Sequence, residues 1–343
     1  MEGYNKKVIM SYWTICRMKT TKKIYVKVSI IFLLGGILLF SSCEKEENQK
    51  IEANRKTLFM YLPWSSNLTN YFYNNISDLE KCITKIGLNN EKVIVFISTG
   101  STEAMMFEIV SSHGRCKREI LKKYKSPPFT TIDGITAILN DVKAFAPASV
   151  YTMIIGCHGM GWLPVYEMKV RSAPHMKMHW EYQGVPLTRY FGGLTAEYQT
   201  DIKSLASGIA NAGMKMEYIL FDDCYMSSIE VAYELKDVTK YLIGSTSEMM
   251  AYGMPYAAIG EYLLGNPDYQ SGCEEFYNFY STYEIMPCGT LAVTDCSELE
   301  NMAAIIKSIN SKYSFDKSLR GTIQRLDGYT PVILSLIHIS EPT

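Results

Sequence analysis

Two short apolar runs constrain this chain more than anything else in it, because each ends abruptly on a residue with chemistry. The first is VYTMII (150–155), followed at once by Gly156-Cys157-His158-Gly159. The second is MEYILF (216–221), apolar but for Glu217, followed by Asp222-Asp223-Cys224. Runs of this length, rich in β-branched and aromatic residues, read as strands buried on both faces of a parallel sheet. A residue just past such a strand stands at the carboxyl edge of the sheet, where open α/β folds gather their functional groups. After Cys224 the spacing changes to three and four residues at Met226, Ile229 and Tyr233, so a helix is expected to start close to the cysteine. The N–H groups and partial positive charge of that helix start would favour a thiolate.

A lone buried cysteine usually only fills a gap in a core. A cysteine and a histidine at the ends of adjacent parallel strands make a different case, a thiol nucleophile with its base. On this reading Cys224 is the nucleophile and His158 the base. Gly159 leaves room for a substrate backbone, and the Gly159 and Cys224 N–H groups face a developing oxyanion. Cys157 is the rival thiol, but it belongs to the strand end. His113-Gly114 repeats the dipeptide in a polar stretch and does not follow a buried strand. GCHGMG (156–161) suggests a phosphate loop, yet Trp162-Leu163-Pro164 does not open a helix after it. The chain has no G-x-S-x-G elbow of a serine hydrolase.

The order strand-His-Gly, then strand-Asp-x-Cys, resembles the clostripain-like cysteine peptidases, within the larger caspase, gingipain and legumain group. The resemblance spans roughly residues 56–331. It is carried by IIGCHGMGW, ILFDDCYMSSIE and GSTSEMMAYGMPY, with weaker support from TLFMYLPWSSNL and GTLAVTDCSEL. It implies a caspase-like three-layer α/β sandwich with a parallel-rich central sheet, and hydrolysis of protein or peptide substrates by a Cys–His dyad. It also implies cleavage after Arg or Lys, with Asp222 at the floor of the specificity pocket. The second pocket acid of the family falls at Tyr252 here, and Glu248, four residues earlier, is the alternative source of charge. Relatives often cut themselves in the loop after the histidine, which places a self-cleavage near Arg171. The resemblance makes no cofactor certain. Calcium, used by clostripain itself, stays open, although no EF-hand-type carboxylate loop is present. The competing reading is a lipoprotein that keeps the peptidase fold only to bind peptides; the presence of both Cys224 and His158 favours catalysis.

The N-terminus reads as a targeting segment. Lys19, Lys22, Lys23 and Lys27 precede the apolar run VSIIFLLGGILLF (28–40), which is too short to span a bilayer. Ser41-Ser42-Cys43 then resembles a bacterial lipoprotein signal, with Cys43 lipidated and the protein anchored at the cell envelope, periplasmic or on the surface. This divides the chain into a signal segment (1–42), a polar tether (43–55), a peptidase domain (56–334) and a tail (335–343). The tail SLIHISEPT does not look like a domain end, so truncation of the natural C-terminus is expected. Seven of the 34 basic and one of the 35 acidic residues precede Cys43, leaving 27 against 34 and a net charge of about −7. With no basic cluster interleaved with aromatics, nucleic-acid binding is excluded. Seven cysteines lie beyond Cys43, at spacings that match no zinc pattern. An odd number in an exported chain leaves at least one thiol unbridged.

Between these landmarks, strands are expected at 57–62, 93–97, 105–110, 240–245 and 290–295. Helices are expected ahead of Ile86, around 127–139, and at 201–212 and 298–312. Residues 111–126 read as basic and polar, and 163–200 as a long loop without a period. The spacing of His175 and His179 in that loop suits a metal on a helix, but the lack of apolar periodicity favours a solvated loop.

Overall fold

The computed structural model describes residues 54–161, 191–284 and 289–314, with the single positions 287, 316 and 318. In chain order it contains β1 (Asn54–Leu62), α1 (Thr69–Ile86), β2 (Glu91–Ser98), β3 (Glu103–Ser112), β4 (Arg115–Lys125), α2 (Ile132–Phe145) and β5 (Ala148–Ile155). There follow α3 (Ile202–Asn211), β6 (Met216–Phe221), α4 (Ile229–Leu235), β7 (Thr239–Gly244), α5 (Tyr256–Leu263), α6 (Tyr269–Ser281), β8 (Ala292–Asp295) and α7 (Leu299–Lys312). All eight strands form one sheet in the order β4-β3-β2-β1-β5-β6-β7-β8. The five central strands from β2 to β7 run parallel, and the outer pairings β2–β3, β3–β4 and β7–β8 are antiparallel.

Each central strand is apolar on both faces, so the sheet needs cover on both. One core packs α2, α3 and α4 against it through Ile135, Leu139, Leu205, Ile209, Val231 and Leu235. The opposite core packs α1, α5 and α6 through Phe72, Ile76, Leu79, Ile259, Leu263 and Phe276. The result is the expected three-layer α/β sandwich.

Two departures from the sequence reading have local causes. Residues 111–126, read as a polar connection, contain β4. His113 and Gly114 have φ of 50° and 67°, the paired left-handed residues of a two-residue hairpin turn. The strand carries six cations, Arg115, Lys117, Arg118, Lys122, Lys123 and Lys125, which hide its apolar alternation and also protect a sheet edge from pairing further. Arg118 anchors it: the guanidinium bonds Glu80 on α1 at 2.6 and 2.8 Å and lies over the Phe107 ring. The second departure is α4, which begins at Ile229, capped by the Ser228 hydroxyl, and so does not begin at Cys224. The helix expected at 298–312 forms as α7 but is only partly packed. Leu299 is buried, whereas Met302, Ile305 and Ile306 are exposed.

At the amino ends of the strands, a buried ion pair ties the sheet to its helices. The Lys56 ammonium on β1 donates to Leu263 O at 2.7 Å and Gly265 O at 2.9 Å, and lies 3.7 Å from Glu91 on β2. Glu91 in turn accepts the Gly265 N–H at 2.9 Å. Burial pushes the Lys56 pKa down, against the pull of Glu91. Replacing Lys56 by Met should therefore leave Glu91 buried without its counter-charge and cost about 3 kcal/mol or more in urea unfolding. A loss below about 1 kcal/mol, the level of a surface pair, would show that the pair contributes little.

Candidate active site

The register of the central strands brings the two sequence landmarks together. Tyr61 on β1 pairs with Ile155 on β5, and Ile155 pairs with Phe221 on β6. Beyond the strands proper the pairing runs one step further, with Gly156 N–H donating to Tyr61 O and Asp222 N–H donating to Ile155 O. His158 and Cys224 each follow three residues after a paired position, so they leave the sheet side by side. The backbones then close on each other. A Cβ placed on Gly159 would lie 2.2 Å from Cys224 O and 2.8 Å from the Asp223 Cβ. The space expected for a substrate at Gly159 is thus filled, on the side where a side chain would project, by the backbone of Cys224.

Three contacts fix His158. Asp223, fully buried, accepts the N–H of the preceding Cys157 at 2.6 Å, with the Cys157 thiol 3.5 Å from its other oxygen. The His158 N–H donates to Gly192 O at 3.1 Å, in a bridge that Gly192 makes at a φ of 103°. The imidazole Nε2 meets Asn67 Oδ1 at 2.8 Å, on the connection between β1 and α1. Neither Gly192 nor Asn67 was singled out from sequence, since each lies in a polar stretch remote from the histidine in the chain.

Cys224 sits in a tight turn whose next residue, Tyr225, has a φ of 59°. That left-handed conformation is rare for a bulky side chain. The loop after β7 holds the turn: Tyr225 N–H donates to Ser247 O at 3.0 Å and Ser227 N–H to Ser245 O at 2.9 Å. The same loop reaches the sulfur, to which the Met249 N–H donates at 3.1 Å. The thiol in turn donates to Met249 O at 3.6 Å, so the sulfur is held by the backbone of Met249 and does not meet a helix start. Cys224 and His158 are both fully buried. Cys157 faces the core on the α2–α4 side and its thiol is occupied with Asp223, whereas Cys224 faces the other core.

Of the expected pocket residues, Asp222 is buried and braces the loop 249–256. Its oxygens accept the Met254 N–H at 2.8 Å and the Tyr256 hydroxyl at 3.1 Å. Tyr252, on that loop, donates its hydroxyl to Asp78 on α1 at 2.7 Å and stacks on Phe279. Burial, then the Asp78 bond, push the Tyr252 pKa up, with a smaller contribution from the charge of Asp222. Asp78 was missed at the sequence level because it reads as an ordinary helix-surface acid. Glu248 is half-buried on the same loop. Cys43 and Arg171 lie outside the described residues. Among the described residues, no cluster of three His, Cys, Asp or Glu side chains could hold a metal ion, and none of the six cysteines is bridged.

The closeness of Gly159 to Cys224 makes a sharp expectation. Gly159→Ala must separate the two strand ends, and activity should fall by at least about a hundredfold while the fold persists, since misplaced groups lose their reactivity steeply. Wild-type turnover in Gly159→Ala would mean that the two backbones can part without consequence.

The clostripain family profile matches residues 60–331. A secreted C11 cysteine protease from Bacteroides thetaiotaomicron, "iotapain", is 60% identical over 82% of this chain and 77% of its own, with a TM-score of 0.74. An inactive zymogen C11 protease from Parabacteroides distasonis is 25% identical over 74% of this chain and 65% of its own, with a TM-score of 0.61. A second secreted C11 protease from B. thetaiotaomicron, in complex with an irreversible peptide inhibitor, is 20% identical over 74% of this chain and 70% of its own. Its TM-score of 0.60 adds support for the fold alone. No curated protein sequence matches. The chain belongs to the clostripain family of cysteine peptidases and has its caspase-like fold.

Proposed function

We propose that the protein is a cysteine endopeptidase that cuts after basic residues, with Cys224 as nucleophile and His158 as its acid–base partner. The observation that carries this is the level pairing of β5 with β6, which sets Gly159 against the Cys224 backbone. Cys224 sulfur attacks the scissile carbonyl carbon, and the thiol proton passes to His158. The Gly159 and Cys224 N–H groups hold the oxyanion. His158 then gives the proton to the leaving amine as the C–N bond breaks, leaving an acyl-enzyme that water hydrolyses with His158 as base. Maturation is assigned to a self-made cut near Arg171, in the basic stretch that follows the histidine in the chain.

For specificity, Asp222 and Asp78 supply two carboxylates around Tyr252; Asp78 accepts the phenol with one oxygen and pairs with Lys81 at 2.7 Å through the other, so it makes good the charge missing at position 252 only in part. A buried or half-buried carboxylate bound to a cation contributes about 1.5–3 kcal/mol. Stacking of an arginine on Tyr252 meets Phe279 already on one face of the ring, so the preference for Arg over Lys rests on the guanidinium hydrogen bonds.

Cys224→Ala and His158→Ala should each abolish peptide hydrolysis, and Cys224→Ala should remain a single chain where the wild type is cut once near Arg171. Retained turnover in Cys224→Ala sinks the nucleophile; an active wild type that stays uncut sinks the processing step. In substrates differing only before the cut, Arg and Lys should be favoured over a neutral residue by roughly tenfold or more, a margin that follows from the charge-assisted contact. Asp78→Asn should narrow that margin, and equal rates on all substrates in the wild type would refute the basic pocket.

The protein acts outside the cytoplasm, tethered through a lipid on Cys43. This is supported by the basic and apolar segments leading to that cysteine and by the secreted relative from B. thetaiotaomicron. No helix among the described residues is long and apolar enough to cross a membrane. A metabolic acyl label should appear on the wild type and vanish in Cys43→Ala; an unlabelled, fully soluble wild type would overturn the anchor.

A further inference from the structure

We infer that Asn67 is a positioning residue for His158, holding one tautomer and orientation of the imidazole; the inference rests on the Cys224–His158 assignment. Three adjacent parallel strands deliver the three residues. β1, β5 and β6 pair level at Tyr61, Ile155 and Phe221, and Asn67, His158 and Cys224 follow from their carboxyl ends. Asn67 is carried on a connection with little freedom. Ser66 has a φ of 68°, Asn67 N–H donates to Ser65 O at 2.9 Å, and the next residue, Leu68, is fully buried.

A local rule is broken at this place. Asparagine is among the best residues for capping a helix, and α1 begins one residue later, at a cap position occupied by Leu68. That helix start has no side-chain cap. Asn67 stands next to it and directs its amide to the histidine, 2.8 Å from Nε2. An uncapped start is less stable than a capped one in typical helices, and such departures from local preference cluster where function requires them.

The chemistry follows from the tautomer. An amide oxygen accepts only from a protonated nitrogen, so Asn67 Oδ1 places the proton on Nε2 and the lone pair on Nδ1. Nδ1 is then the nitrogen that takes the proton from the Cys224 thiol and returns it to the leaving amine. When the imidazole is charged, Nε2–H still donates to Asn67, and the bond becomes charge-assisted. Asn67 therefore stabilises the imidazolium that pairs with the thiolate, without touching the substrate.

Asn67 is exposed, so its replacement leaves the core intact, and the isosteric Asn67→Asp is a second variant that keeps the shape. Two readouts are measured between about pH 5 and pH 9, the range in which imidazole titrates: peptide turnover, and alkylation of Cys224 by iodoacetamide, which needs no substrate. Asn67→Ala should lower kcat on the order of tenfold with KM little changed, a part of the effect of general acid–base catalysis. It should also move the rising limb of the alkylation profile to higher pH, since the thiolate loses part of its counter-charge, and the alkaline limb of turnover to lower pH, because the imidazolium loses a partner. Asn67→Asp should move that limb to higher pH, since a carboxylate holds the proton on the ring more firmly. Wild-type kcat with unmoved limbs in Asn67→Ala, while His158→Ala is inactive, overturns the role of Asn67 alone. If His158→Ala itself leaves turnover and the Cys224 alkylation profile unaltered, the catalytic pair fails and the role of Asn67 fails with it.

Discussion

The Asp223 carboxylate accepts the Cys157 N–H at 2.6 Å across the gap between two strands whose backbone ladder has just ended. One step earlier, Asp222 N–H still reaches Ile155 O; one step later, nothing in a parallel sheet would keep the chains level. A side chain continues what the ladder began. The group that does this is an acid held at zero exposure, next to Cys224 in the chain. Burying a carboxylate is costly unless its oxygens are satisfied. Once they are, any displacement of one strand end from the other leaves a buried charge short of a donor. The alignment of His158 with Cys224 is therefore coupled to the desolvation of Asp223, a far steeper penalty than the loss of one ordinary hydrogen bond. Gly159 makes the coupling possible, because no other residue lets the two backbones approach as closely.

The parallel centre of the fold was legible because its strands are buried on both faces and carry their signal in every residue. VIVFI (93–97) and YILF (218–221) allow no other reading. β4 was illegible for the opposite reason: it is an edge strand, and the charges that keep it from pairing further also erase its alternation. The positions of Cys224 and His158 were readable from strand ends alone. What orients them was not. Asn67 is separated from His158 by most of the β1-to-β5 half of the sheet, and Met249 contributes a backbone N–H that any residue type would supply. Backbone donors leave no trace in a sequence. The helix expected at Cys224 failed because the apolar spacing from Met226 onward was extended backward over a turn. There the chain is held by the loop after β7, with hydrogen bonds at Tyr225 and Ser227.

That loop does two jobs at once. Residues 245–249 fix the cysteine turn and supply the N–H on its sulfur, while residues 252–256 are braced by Asp222 and carry Tyr252. A displacement of the Tyr252 side of the loop also shifts the donor on the Cys224 sulfur, because both belong to the one segment 245–256. The Tyr252 hydroxyl adds an electrostatic element. Its proton lies between the ring and the Asp78 carboxylate, whose other oxygen is paired with Lys81 at 2.7 Å. Desolvation and Asp78 together keep that phenol protonated. Under the proposed basic specificity, such an arrangement attracts a cation less strongly than a carboxylate in direct contact, but it leaves no bare charge to be desolvated beside a neutral group.

Three local preferences give way within this small region. Asn67 does not cap the helix beside it, Tyr225 occupies a left-handed conformation, and Asp223 is a carboxylate in the core. Each is unfavourable by itself, on the order of one to a few kcal/mol. Their sum is tolerable only because the flanking strands are anchored by two full hydrophobic cores, one on each face of the sheet. Those cores offset the strain without touching the reacting atoms. A stabilising change at any of the three positions, such as a cap-competent turn at Asn67 or a glycine at Tyr225, would relax the strain by releasing a group from the geometry the other two depend on. The parts of the chain that look least well designed for folding are the parts that set the cysteine and the histidine against each other.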